Sequence, residues 1–190
     1  MSVGGTASGR WVDGALPPGV KVGEGSLIEG SLAFKRFYST APDALVIGEF
    51  CTFQRVQFAA GVDARIEIGH HCYLNSTVLM AELFIQIGNY VVIGWNTSIA
   101  DTDFHPIDPM LRIEDAIACS PLGAQRPRPP VGKAAVHIGD DVYIGPSATI
   151  LKGVRIGRGA FVEPGSVVTR DVPAGARVIG NPARIVDRPE

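Results

Sequence analysis

The chain has 190 residues, enough for one domain with appendages. Its 17 basic and 19 acidic residues leave a net charge of −2, which excludes the strong positive field that holds phosphate backbones or anionic membrane surfaces. The opening MSVGGTASGR lacks the order of a secretory signal, and no apolar run approaches the ~18 residues a spanning helix needs, so a soluble cytoplasmic protein is expected. Cys51, Cys72 and Cys119 form an odd set without a CxxC pair, which argues for buried free thiols rather than a disulfide framework or zinc ribbon.

Composition favours short strands and frequent corners. Gly 23 and Pro 14 stand beside Val 20 and Ile 17, while no helical stripe of ten or more residues is evident. Residues 1–21 read as an N-terminal extension. From Val22 the chain carries aliphatics in a six-residue register: Val22 and Ile28, then Ile47 and Phe53, then Ile68, Leu74 and Met80, then Ile87, Ile93 and Ile99. The register stops at Ala100 and resumes at Ile138, leaving a proline-rich insertion over 100–137, long enough to expect a function. Within it Asp108 to Cys119 offers a turn or two of helix.

From Ile138 the register runs unbroken through Ile144, Ile150, Ile156, Val162 and Val168. Two residues before each stands Val136, Val142, Ala148, Val154, Ala160 or Ser166, which is strand alternation. Gly139, Gly145 and Gly157 follow three of the aliphatics, where a corner calls for the positive φ that glycine adopts cheaply. Block starts at 47, 68 and 87, and at 138 and 156, are 21, 19 and 18 residues apart. Three hexapeptides therefore make one turn of a three-sided solenoid, whose coils shield one another's interior faces. An ordinary β-sandwich lacks this register. The solenoid spans 22–186, and 187–190 is a C-terminal tail.

This pattern resembles the hexapeptide-repeat acyltransferases, which implies a left-handed parallel β-helix; the hand comes from that resemblance alone, since crossovers are usually right-handed. Within the insertion, DTDFHPIDPMLR from Asp101 to Arg112 resembles the His-Pro-x-Asp-Pro-x-x-Arg stretch of the galactoside and maltose O-acetyltransferases, in which the histidine is the general base. Acyl transfer from a thioester needs the acceptor's proton removed as it attacks, and imidazole, with a reference pKa of about 6.5, does this near neutrality. His105 is the catalytic candidate, and Asp101 or Asp103 the candidate to orient its ring. The resemblance also puts Asn75 at the acceptor, where its amide would hold a hydroxyl or oxyanion. Asp103 and Arg112 join it as acceptor candidates, although Arg112 also fits a loop-tying ion pair with Asp108 or Glu114.

The closing segment SVVTRDVPAGARVIGNPARIV, from Ser166 to Val186, resembles the family's coenzyme A groove, with Arg170 where a lysine is usual. Thr169, Arg170 and Arg184 are the candidate phosphate contacts, and Tyr143 and Gly145 the candidates along the pantetheine path. Residues 151–190 hold seven basic and four acidic side chains, the sign that phosphates require. Pro146 and Pro164 depart from the family pattern and remove two N–H donors.

The resemblance implies an acetyl-CoA-dependent O- or N-acetyltransferase acting on a sugar-like acceptor, without metal, as a homotrimer with sites between subunits. The competing readings are a non-catalytic scaffold subunit and a γ-type zinc carbonic anhydrase. For the latter, adjacent His70 and His71 cannot point the same way on a strand, and His137 lies at an outward position. A nucleotidyltransferase would need a nucleotide-binding domain for which the first 21 residues are too few.

Overall fold

The structure, a computed structural model, describes residues 14–121, 123 and 126–187 together with the backbone of 10–11. The chain winds through three sheets of parallel strands, advancing one strand in each sheet per coil. The first face stacks Arg10–Trp11, Leu27–Glu29, Thr52–Gln54, Tyr73–Asn75, Val92–Ile93, Tyr143–Ile144, Phe161–Val162 and Arg177–Gly180. Ala183–Asp187 then folds back antiparallel on the last of these. The second face runs from Val20–Val22 to Arg155–Ile156, and the third from Gln57–Ala60 to Val167–Val168. The first coil has no strand on the third side; there Phe34 stacks on Phe58 with centroids 5.6 Å apart and covers that edge of the core.

In-register pairing turns the sequence periodicity into vertical stacks. On the first face Ile28, Phe53, Leu74, Ile93, Ile144, Val162 and Val178 lie one above another and are buried. The second face stacks Ile47, Ile68, Ile87, Ile138 and Ile156, and the third Phe58, Leu79, Ile99, Ile150 and Val168. Each such side chain contributes roughly 1.5–3 kcal/mol on full burial. The smaller inward residues, Val136 through Ser166, are buried beside them.

Two local expectations are corrected. Met80 is not the core residue of its coil: Leu79 is buried and pairs with Phe58 and Ile99, while Met80 faces outward. The cause is corner length. The left-handed corner residue follows the core residue by two positions at Leu74–Ser76 and Phe53–Arg55, but by three at Ile93–Asn96 and Ile144–Ser147. Nor do Gly139, Gly145 and Gly157 supply positive φ. That conformation falls two residues later, on Asp141 (58°), Ser147 (58°) and Gly159 (68°). Glycine is required instead because adjacent coils nearly touch: a Cβ on Gly145 would lie 2.5 Å from the Pro164 nitrogen.

All three cysteines are free, with Cys51 and Cys72 buried in adjacent coils and Cys119, against expectation, exposed. No helix among the described residues is long and apolar enough to cross a membrane.

The corrected register predicts unequal costs for neighbouring truncations. Leu79→Ala should lower stability by about 2–5 kcal/mol, as buried leucines do, and Met80→Ala by less than about 1 kcal/mol. Thermal and urea unfolding of the two variants checks this.

Candidate functional site

The insertion leaves the third face directly after Ile99 and is closed at its neck. Thr102 bridges Lys133 antiparallel, the Asp103 N–H donates to the Gly132 carbonyl at 3.0 Å, and the Ala134 N–H to that of Asp101 at 2.8 Å. Asp101 is fully buried and accepts from the backbone N–H groups of Glu82, Leu83 and Phe84 at 2.7, 2.8 and 2.6 Å. It therefore fastens the loop to the corner of the preceding coil, and burial raises its carboxyl above the ordinary range. Asp103 pairs with Lys152 at 3.3 Å, tying the loop to the coil that follows.

Between these anchors the chain makes a one-residue reversal. The His105 N–H donates to the Asp103 carbonyl at 2.7 Å around Phe104, which holds φ of 64°. A non-glycine residue there is strained, and such strain persists only where the surroundings over-determine it. Here they do: the Phe104 N–H donates to Thr102 Oγ1 at 3.2 Å, and the Phe104 carbonyl accepts from Arg128 Nη2 at 2.8 Å.

A helix follows at Pro109–Ala118, longer than the expected turn or two. Asp108 caps it by accepting from the N–H groups of Met110 and Leu111 at 2.9 and 3.0 Å, and Pro109 occupies the first turn, where no N–H is needed. The helix buries only Asp115 and Ala118. Asp115 Oδ2 lies 2.5 Å from His105 Nδ1, and Arg128 grips the same carboxylate with Nε on Oδ1 at 2.6 Å and Nη2 on Oδ2 at 3.1 Å. The Arg128 bonds foremost, then the His105 bond, hold the Asp115 carboxyl down at about 2. An ionised carboxylate only accepts hydrogen bonds, so Nδ1 must carry the imidazole proton. In the neutral ring Nε2 is then the nitrogen with the lone pair, and it has no protein partner among the described residues. The ring stands at the wall of a cavity of about 380 Å³ shared with Glu82, Thr102, Phe104, Arg128 and Lys133.

The orienting carboxylate is therefore Asp115, and neither Asp101 nor Asp103 touches the His105 ring. Arg112 ties the loop through backbone carbonyls rather than the expected ion pair: Nη1 donates to those of Pro106 and Ile107 at 3.2 and 2.8 Å, and it does not line the cavity beside His105. Asn75 stands apart from His105, on the first face, where Nδ2 donates to the Tyr73 hydroxyl at 3.1 Å and to Gln54 Oε1 at 3.3 Å. Beside that corner lies a larger cavity of about 560 Å³, walled by Arg55, Gln57, Ser76, Asn96 and Ser98.

The coenzyme candidates are spread over the last coils. Tyr143 stacks on Phe161 with centroids 4.5 Å apart, and Gly145 is buried against Pro164. Thr169 and Arg170 are exposed at a corner, and Arg184 is exposed on the closing hairpin. Arg158 and Arg177 are taken up by Asp141 and Glu163, whereas Arg170 and Arg184 enter no ion pair among the described residues.

Comparison with known proteins follows from this geometry. A family model described as bacterial transferase hexapeptide (six repeats) matches residues 135–170. Galactoside O-acetyltransferase of Lactococcus lactis is 33% identical over 112 residues, 58% of this chain and 47% of that protein. Nodulation protein L of Rhizobium meliloti is 42% identical over 132 residues, 69% and 64% of the two chains. YvoF of Bacillus subtilis, which carries the name of a presumed acetyltransferase, is 31% identical over 171 residues, 84% and 87%. The chain thus spans about half and just under two thirds of the first two relatives.

Among solved structures, a hexapeptide-repeat acetyltransferase of Vibrio cholerae complexed with acetyl-coenzyme A aligns with a TM-score of 0.57 at 31% identity, covering 70% of this chain and 65% of that one. Galactoside acetyltransferase in complex with coenzyme A aligns at 0.63 and 26%, covering 76% and 64%. The three-sided solenoid is accordingly a left-handed parallel β-helix interrupted by one long inserted loop. The chain belongs to the hexapeptide-repeat acyltransferase family, and its similarity runs to the galactoside acetyltransferase group.

Asp115 makes loop order depend on acid in a defined direction. Its folded carboxyl at about 2 lies below the ordinary 3.8, so the stability it adds is complete above the unfolded value and fades as pH falls through about 2. Limited pepsin digestion should leave residues 101–135 intact near pH 4 and cut them increasingly toward pH 2. Asp115→Asn should remove that dependence and be cut throughout.

Proposed function

We propose that the protein transfers an acetyl group from acetyl-CoA to a hydroxyl, or an amine, of a sugar-like small molecule, with His105 as general base. The observation that carries this reading is the His105–Asp115 pair, which fixes the proton on Nδ1 and leaves Nε2 free at a cavity wall. As the acceptor oxygen attacks the thioester carbonyl, its proton passes to Nε2. When the tetrahedral intermediate collapses, the carbon–sulfur bond breaks and the proton returns to the departing coenzyme A thiolate. No protein nucleophile is needed, and a positioned base of this kind supplies about 10² to 10⁴ in rate.

The donor would lie along the C-terminal coils. Arg170 and Arg184, which enter no ion pair among the described residues, are suited to its phosphates, Thr169 adds a hydroxyl, and Tyr143 with Gly145 would border the pantetheine arm. The acetyl-coenzyme A and coenzyme A complexes among the similar structures support a coenzyme A donor. A sugar-like acceptor rests on the galactoside enzymes among the relatives.

A homotrimer with sites between subunits accounts for two exposed features. The loop helix and its approach present Ile107, Met110, Ile113 and Ile117 to solvent, and the first face carries an in-register strip of Tyr73, Val92, Tyr143 and Phe161 that is at least partly exposed. Apolar surfaces of this kind mark association sites. In such an assembly Asn75 of one subunit would face the His105 loop of the next, and the acceptor would bind between them.

Acetyl-CoA with a panel of galactosides, maltose and amino sugars tests the reading. His105→Ala should lower turnover by at least about 10²-fold while retaining coenzyme A binding in calorimetry. Arg170→Ala should weaken that binding several-fold. Undiminished transfer by His105→Ala, or no binding of coenzyme A at millimolar concentration, would overturn it.

A further inference from the structure

We propose that Arg128 is a positioning residue for His105, and that it does two things at once: it holds the imidazole in one tautomer and offsets the Asp115 charge beside the ring. This rests on the general-base reading of His105. Three bonds from one guanidinium argue for it. Nε and Nη2 clasp the two oxygens of Asp115, and Nη2 also holds the Phe104 carbonyl, the backbone group next to His105. The planar fork thus fixes both the carboxylate that orients the ring and the strained turn that sets its Cα.

The charge argument is separate from the geometric one. A buried carboxylate bonded only to imidazole would favour the imidazolium and so block the base. With Arg128 on the same carboxylate, the pair is neutral before the proton arrives, and the cluster becomes a single net positive charge afterwards. Other charged groups leave this balance in place. Glu82, on the cavity wall, is paired with Lys133 at 3.1 Å, and Asp103 is held by Lys152. Asp108 caps the helix, Arg112 is bound to backbone carbonyls, and Arg36 lines the adjoining cavity with Glu82 and Arg128. Among the described residues Asp115 alone bonds the His105 ring, and Asp115 in turn is touched by Arg128 and by the Cys119 thiol, whose Sγ lies 4.0 Å from Oδ1.

The local sequence suits a fixed cation. Arg128 lies between Pro127 and Pro129, followed by Pro130, in a stretch whose φ angles are limited before folding. Cavity contacts from Pro129, Pro130 and Val131 place that stretch against the site. A merely structural arginine would serve the loop equally well without reaching the catalytic carboxylate.

Nitrogen-15 NMR of the imidazoles reads tautomer and titration without an acceptor, and comparison with His105→Ala assigns the His105 signals among four histidines. The intact protein should show His105 as the Nδ1–H form. Arg128→Met should raise its titration midpoint by about one pH unit or more and mix the tautomers. Arg128→Lys, which keeps the charge without the fork, should leave the midpoint nearly unmoved while lowering turnover. If the methionine variant does not fold, Arg128→Gln carries the same test. An unchanged midpoint and tautomer in the uncharged variant overturns the proposal, as does a lysine variant shifted as far as the methionine one. Transfer that survives in His105→Ala would instead remove the general-base reading, an outcome the NMR titration does not share.

Discussion

Every part of the molecule depends on the close stacking of one coil upon the next. Parallel strands in register lie roughly 4.8 Å apart, so each inward side chain rests on its counterpart from the coil below. That spacing dictates the sequence more severely than burial alone does. It demands a large apolar side chain at each core position and, at corners such as Gly145, a residue with no side chain, because a Cβ there would meet the Pro164 backbone. A substitution there is felt in the neighbouring coil.

The same constraint explains where chemistry can sit. The inward positions of the repeating coils are taken by core. A catalytic group needs a departure from the repeat, and the chain supplies one immediately after Ile99. Asp101 and Lys152 then act as anchors on the coils before and after, so the loop is held by the scaffold at both ends. Within that anchored loop the strained residue at Phe104 is held by Thr102 and Arg128.

The repeat was legible because a six-residue period survives in every coil, and His105 was legible because its motif is contiguous. What escaped were features set by three-dimensional closure. Asp115 lies ten residues beyond His105 and reaches it only once Asp108 starts a helix that turns its single buried carboxylate inward. Arg128 arrives from the far side of the loop, and a lone arginine among prolines carries no local signal. Asp101 and Asp103 were plausible orienters by proximity, yet their nearness in sequence commits them to the loop's neck. Leu79 shows the converse limit: a corner shortened by one residue moves the core position without disturbing the pattern on either side.

These differences bear on how a loop with little core achieves a defined active geometry. The helix at Pro109–Ala118 buries just two side chains, so apolar packing cannot fix its place. A buried carboxylate shared by one arginine and one histidine can, because leaving Arg128 out would strand the Asp115 charge away from water and leaving His105 out would remove one of its hydrogen bonds. The cation that makes Asp115 tolerable in the interior is thus the same group that limits its pull on the imidazole. Loop order and the setting of the His105 ring thus meet in one interaction, at the only buried carboxylate among the described residues that forms ion pairs with side chains.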